Sequence, residues 1–173
     1  MLSEKMQGEL SKQINAELYS AYLYLAIAAY FEETALKGCS HWMRIQFDEE
    51  MMHALKIFDY VHERGGRVIL ENIAKPEIEL DSPLAAFEFV LEHEQKVTRL
   101  INDLVDVALG ERDHATHNFL QWFIGEQVEE EASVDEIVQQ LRMIGDSRNG
   151  LFMLDRHLAE RPAAGEGAEP VAE

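Results

Sequence analysis

Apolar residues recur at alternating spacings of three and four along four long stretches of the chain, a pattern typical of amphipathic α-helices. The spacing predicts long helices over residues 3–34, 39–64, 82–110 and 113–144, and a short fifth helix over residues 147–159. Within these stretches proline occurs only at Pro83, directly after Ser82, where an N-cap and a first-turn proline would begin the third helix. Two antiparallel hairpins joined by a long crossover predict an all-α, antiparallel four-helix bundle.

In all four long helices the apolar stripe is interrupted near its middle by carboxylate, amide or imidazole groups. A lone buried carboxylate is strongly destabilising unless it is paired or bound to a metal, so we expect these groups to share a partner. Their oxygen and nitrogen donors suit hard or borderline divalent cations. The set consists of Glu17, Glu50, His53, Glu94, Gln127 and Glu130.

The two predicted hairpins repeat this arrangement at an offset of 77 residues, which relates Glu17 to Glu94, Glu50 to Gln127, and His53 to Glu130. A pseudo-twofold bundle would bring the six side chains to one midpoint, as in di-iron carboxylate bundles. A solvated face or a mistaken register would explain any one of these positions. Neither explains interruptions at matched heights on four helices.

The composition limits the partners of the protein. Asp and Glu outnumber Lys and Arg by 33 to 15, and the net charge of −18 argues against nucleic acid and anionic membranes as partners but suits cations. The longest apolar run, residues 21–31, is too short to span a membrane. With one cysteine and no signal-peptide pattern, we expect a cytoplasmic protein. Residues 1–161 would form one domain, and the Pro-, Gly- and Glu-rich residues 162–173 a disordered acidic tail.

At these positions the sequence resembles the non-haem ferritins of bacteria and archaea. The similarity spans residues 3–160 in order and is carried by residues 13–17, 22–24, 49–54, 92–94, 119–123 and 126–131. The resemblance implies an iron store with ferroxidase activity, which oxidises Fe(II) with O2 or peroxide and keeps it as ferric oxyhydroxide. It also implies self-association into a hollow shell of 24 subunits.

The resemblance also assigns roles to individual residues. It places one iron on Glu17, Glu50 and His53, and a second on Glu50, Glu94 and Glu130, with Gln127 nearby as a polar or water-holding group. A third, weaker site would use Glu49, Glu126 and Glu129 and share Glu130. Tyr24 matches a tyrosine that donates an electron or a hydrogen bond beside the centre. Trp122 matches a neighbouring aromatic residue, for which we expect the role of a core filler.

Three other functions are compatible with such a bundle. A haem-containing bacterioferritin would carry a second E-x-x-H, which is Gln127-x-x-Glu130 here, and Met51 or Met52 would have to ligate the haem, so haem is not expected. A di-iron oxidase or oxygenase without storage would usually be longer, to house an organic substrate. A metal-free structural bundle would become more stable if its buried carboxylates were replaced.

Overall fold

The computed structural model describes residues 2–163, and this part of the chain contains five helices and no strand. The helices are α1 (Glu4–Glu33), α2 (Lys37–Glu63), α3 (Pro83–Gly110), α4 (His114–Ile144) and α5 (Arg148–Leu158). The predicted four-helix bundle with a short fifth helix is therefore confirmed, and each predicted helix end lies within two residues of the observed one. The predicted disordered tail lies outside the described residues from residue 164 onward.

Polar side chains define where four of the helices begin. Ser3, Ser82, Asp113 and Ser147 each accept a hydrogen bond from the backbone N–H three residues ahead, and Pro83 follows its cap in the first turn of α3. The residue before the second helix makes no such bond; instead the Asp155 side chain of α5 accepts a hydrogen bond from the Cys39 backbone N–H at 2.9 Å. A Cβ at Gly38 would lie 1.6 Å from the Asp155 carbonyl oxygen, so only glycine allows this close approach.

The core of the bundle consists of two apolar clusters with a polar layer between them. One cluster contains Phe31, Met43 and Phe87, and the other contains Leu10 and Ile57. On each long helix the interrupting polar residues lie between a segment that belongs to one cluster and a segment that belongs to the other. Within residues 2–163 no helix has a stretch that is both long and apolar enough to cross a bilayer.

The buried face of α3 differs from the predicted stripe. Val90, Val97 and Leu104 are buried, whereas Leu91 and Thr98, which the alternating spacing of three and four predicts as core positions, are only half-buried. The apolar face of a helix is wider than one residue per turn. A fixed spacing of three and four therefore identified the face correctly but placed its centre one residue too late at these positions.

The long crossover, residues 64–82, follows the outer side of α1. The Gln7 side chain accepts a hydrogen bond from the Arg67 backbone N–H at 2.8 Å, and the Asn15 side chain donates to the Asn72 carbonyl oxygen at 3.4 Å. Towards its end Ile78 and Leu80 pack against the cluster around Phe87. The crossover therefore runs from one end of the bundle to the other and sets α3 parallel to α2.

Candidate metal centre

Three buried side chains converge in the polar layer between α1 and α2. Glu17, Glu50 and His53 each place one potential ligand atom within 4.8 Å of the other two, and their exposures are 1%, 1% and 4%. Glu50 and His53 reach the same point because residues three apart share a helix face. Among residues 2–163, no other group of three or more His, Cys, Asp or Glu side chains meets this spacing.

Two oxygens of this group have no hydrogen-bond donor within the described part of the chain: Glu17 Oε2 and Glu50 Oε2. The other Glu17 oxygen accepts a hydrogen bond from Gln13 Nε2 at 2.8 Å, and His53 Nδ1 lies 3.6 Å from Glu50 Oε2. A buried carboxylate oxygen without a partner is unfavourable unless it is protonated or bound to a cation. These donors therefore fit a divalent cation.

Burial shifts the pKa of each group in this cluster in the direction that favours the neutral form. It raises the pKa of Glu17, and it raises the pKa of Glu50 further because the charges of Glu17 and Glu94 add to the effect. Burial, followed by the charge of Lys56, lowers the pKa of His53 to about 4. The imidazole is therefore neutral near pH 7, as metal binding requires.

The polar groups contributed by α3 and α4 are arranged differently. Glu94 accepts hydrogen bonds from the Tyr24 hydroxyl and from Gln127 Nε2, the latter at 3.2 Å. Glu130 Oε2 accepts one from Gln46 Nε2 at 2.7 Å. Burial raises the pKa of Glu94 to about 7 and, with the charge of Glu94 as the next cause, that of Glu130 to about 8. Both carboxylates therefore hold a proton for part of the time near neutral pH.

The three carboxylates expected at a third site lie at the edge of the polar layer. Glu49 and Glu126 are half-buried and Glu129 is exposed. Burial, and after it the charges of Glu129 and Glu49, raise the pKa of Glu126. Glu49 itself accepts a hydrogen bond from Arg161 Nη2 at 2.8 Å. Glu49 and Glu129 are thus close enough to Glu126 to raise its pKa, but the three carboxylates do not lie at ligand distance from one another.

Two residues near the centre had no role in the sequence-based prediction. Gln46 belongs to the polar interruption of α2, but its link to Glu130 became visible only in the fold. Arg161 follows α5 and contacts both Gln46 and Glu49. The helical periodicity contains no signal for Arg161, since it lies beyond the last helix and more than a hundred residues from its partners.

The prediction that Trp122 fills the core is wrong. Its side chain is 40% exposed, whereas that of the adjacent Phe123 is 2% exposed. The indole packs edge-on against His53 with the ring centroids 5.4 Å apart, and Lys56 Nζ lies 4.2 Å from the indole centroid. Trp122 therefore covers the imidazole on its solvent side, and Phe123 takes the place in the core.

Known proteins are similar to this chain over most of its length. The family described as the ferritin-like domain matches residues 7–144. A bacterial non-haem ferritin of Bacteroides fragilis is 43% identical over 161 residues, which are 93% of this chain and 100% of the relative. A crystal structure of an open-pore ferritin from the hyperthermophilic archaeon Archaeoglobus fulgidus has a TM-score of 0.92 and 57% identity, covering 94% of this chain and 100% of that one. An engineered closed form of that ferritin has a TM-score of 0.93 and 56% identity, covering 95% of this chain and 100% of that one.

Proposed function

The chain belongs to the ferritin family, among the non-haem prokaryotic ferritins that store iron, and from this premise we propose that its polar layer is a ferroxidase centre. The centre oxidises Fe(II) with O2 or peroxide, and the Fe(III) is stored as ferric oxyhydroxide. The observation that supports this proposal most strongly is the buried group of Glu17, Glu50 and His53. Two of its carboxylate oxygens have no hydrogen-bond donor among residues 2–163, which is unfavourable without a cation.

We propose the following distribution of substrate iron over the centre. One iron binds Glu17, Glu50 and His53. A second shares Glu50 and binds Glu94 and Glu130, with Gln127 as a neighbouring polar group. A third and weaker site uses Glu49, Glu126 and Glu129 and shares Glu130. Haem plays no part in this scheme.

The ligand types determine the chemistry. Carboxylate oxygens are hard donors that favour Fe(III) over Fe(II), and a single imidazole keeps the site rich in oxygen. Two metals about 3.5–4 Å apart act together on one bound molecule. Each iron supplies one electron, so that O2 with two protons becomes H2O2 while two Fe(II) become two Fe(III). Protons leave Glu94 and Glu130 when iron replaces them.

Tyr24 holds one of these ligands in place. Its hydroxyl donates a hydrogen bond to Glu94, and both side chains are fully buried. Burial and the charge of Glu94 raise the pKa of Tyr24 well above its usual value, so the phenol keeps its proton. We propose that Tyr24 acts through this hydrogen bond, which orients Glu94 towards the second iron.

The surface supports assembly into a shell. Large apolar side chains are exposed on α1 and α2, including Tyr22, Leu25 and Leu55, and on α5, including Phe152 and Met153. Exposed apolar groups of this size are typical of surfaces that pack against other copies. We propose a cytoplasmic shell of 24 subunits, in which the net charge of −18 attracts Fe(II).

The proposal is tested by anaerobic Fe(II) titration followed by a pulse of O2, comparing wild type with His53→Ala. We expect about two tightly bound irons per chain and rapid oxidation in the wild type, and loss of both properties in the variant. His62→Ala is the matched control, because His62 lies on the exposed side of the same helix. Rapid oxidation that survives His53→Ala would overturn the proposal.

A further inference from the structure

Arg161 is anchored on α2 by four contacts. Its Nη2 donates to Glu49 Oε2 at 2.8 Å, and its Nη1 donates to Gln46 Oε1. The guanidinium carbon lies 4.8 Å from the centroid of the Trp42 ring, and the backbone carbonyl oxygen is hydrogen-bonded to His41 Nε2 at 2.9 Å. Such a fork of donors, stacked on an indole, fixes the position of a charge better than a lysine could.

One of these contacts leads on to the centre. Gln46 accepts from Arg161 through its carbonyl oxygen and donates to Glu130 through its amide nitrogen, so both ends of the amide are fixed. Arg161 thereby acts on two carboxylates of the proposed centre. It binds Glu49 directly and orients Glu130 through Gln46.

We infer that Arg161 is a positioning residue that limits the centre to two tightly bound irons, because a third iron reaches Glu49 only in exchange for the guanidinium. This inference rests on the proposed ferroxidase function. The guanidinium is a resident cation at the edge of the acidic group, and a second cation beside it is repelled. When Arg161 leaves, the side-chain carbonyl oxygen of Gln46 loses its hydrogen-bond donor and the amide turns. Glu130 is then free to be shared with the third iron.

The exchange has a structural consequence outside the centre. The chain after α5 is held by backbone hydrogen bonds from Ala159 to Asp155, from Glu160 to His157 and from Arg161 to Leu158, at 3.1, 3.0 and 3.3 Å. The four contacts of the Arg161 residue anchor this segment on α2. Binding of a third iron therefore loosens the end of α5, whereas binding of the first two leaves it in place.

The first test counts irons at equilibrium. The assembled protein is titrated with Fe(II) under strict anaerobic conditions, and bound iron is measured by dialysis for wild type, Arg161→Gln and Arg161→Lys. We expect the third iron to bind at least tenfold more tightly in Arg161→Gln and by a smaller factor in Arg161→Lys, which keeps the charge but not the fork of donors, with the affinity of the first iron unchanged. Arg156→Gln removes an exposed charge from α5, just before this segment, and is the control.

Each outcome separates this inference from the proposed function. An affinity for the third iron that is unchanged or weakened in Arg161→Gln overturns the inference, as does loss of the first iron in that variant alone. Absence of two tight irons in the wild type overturns the ferroxidase proposal instead. Adding Glu49→Gln to Arg161→Gln is expected to abolish the gain, and a gain that persists contradicts the role of Glu49.

A second test needs no variant at Arg161. Hydrogen exchange of the backbone amides of residues 159–161 is measured in the wild type with no iron, and with two and three Fe(II) per chain. We expect exchange to rise several-fold only between two and three irons. An unchanged rate at the third iron overturns the inference.

Discussion

The two halves of the polar layer are related by the 77-residue offset but are prepared for metal in different ways. In the α1–α2 half, Glu17, Glu50 and His53 already lie at ligand distance, and two carboxylate oxygens lack a donor within the described part of the chain. In the α3–α4 half, Glu94 and Glu130 are satisfied by Tyr24, Gln127 and Gln46. The first half is preorganised in geometry, whereas the second must also give up hydrogen bonds for its ion.

This difference predicts an order of binding. The first iron enters the α1–α2 group. An ion there neutralises buried carboxylates and breaks few hydrogen bonds. The second iron arrives once Glu50 is already oriented by the first. Substitutions in one half or the other distinguish the two sites.

Replacing the shared ligand has the largest expected effect. Glu50→Ala removes an oxygen donor from both irons, so both tight sites are lost and Fe(II) oxidation falls by more than about 100-fold. The metal-free variant is expected to melt at a higher temperature than the metal-free wild type, because it lacks a buried carboxylate. Anaerobic titration, stopped-flow oxidation and calorimetry check these expectations. Asp59→Ala, at an exposed position of the same helix, leaves all three unchanged.

Replacing a ligand of the second half has a smaller effect. Glu130→Ala keeps the first iron bound and loses the second, so the titration ends near one tight iron per chain. Oxidation slows by about 10–100-fold, since one iron supplies only half of the electrons that O2 needs. Retention of two tight irons in this variant would show that the α3–α4 half does not hold its own ion.

The pH dependence tests the protons held by the second half. The folded-state pKa of Glu94 is raised from 4.5 to about 7 and that of Glu130 to about 8. The folded protein therefore holds protons that the unfolded chain releases, and the metal-free protein loses stability as the pH rises from about 5 to 8. His53, whose pKa is lowered from 6.5 to about 4, destabilises the fold as the pH falls through that range.

The corresponding measurement is the melting temperature of the metal-free protein between pH 4 and pH 9, repeated with a saturating divalent cation. The metal-free curve is expected to peak near pH 5–6 and to decline above it, whereas the metal-bound curve does not decline up to pH 8. A pH-stat titration should also record proton release on binding at pH 7. A metal-free protein that gains stability from pH 5 to pH 8 would contradict the assigned shifts.

The smallest effect is expected for the hydrogen bond that orients Glu94. Tyr24→Phe removes one donor and leaves the other, from Gln127, in place. Because one hydrogen bond to a charged group is worth about 1.5–3 kcal/mol, we expect the second iron to bind more weakly by about tenfold, with the first unchanged. Tyr22→Phe, at an exposed position two residues away, is the control. Equal effects of the two substitutions would remove the assigned role of Tyr24.

The sequence predicted those features that depend on helical periodicity. Five helices follow from the apolar spacing, and Glu17, Glu50 and His53 stand out because they break an otherwise buried stripe. The repeat at 77 residues then linked them to the second hairpin. Local spacing is sufficient for these inferences because residues three and four apart share a helix face.

Features that depend on packing between distant segments could not be predicted. Arg161 meets Glu49 across 112 residues, and its position depends on how α5 packs on Gly38. The choice between Val90 and Leu91 as the buried residue on α3 depends on the rotation of that helix by a fraction of a turn.

The central claim is that the buried carboxylate and imidazole groups are stable in the bundle because a pair of ions neutralises them. Crystals soaked anaerobically in a ferrous salt, with anomalous data collected at the iron edge, test it most directly. We predict two peaks in the polar layer, one at Glu17 and His53 and one at Glu94 and Glu130, with Glu50 between them. No peak there, with these side chains turned towards water, would contradict the account.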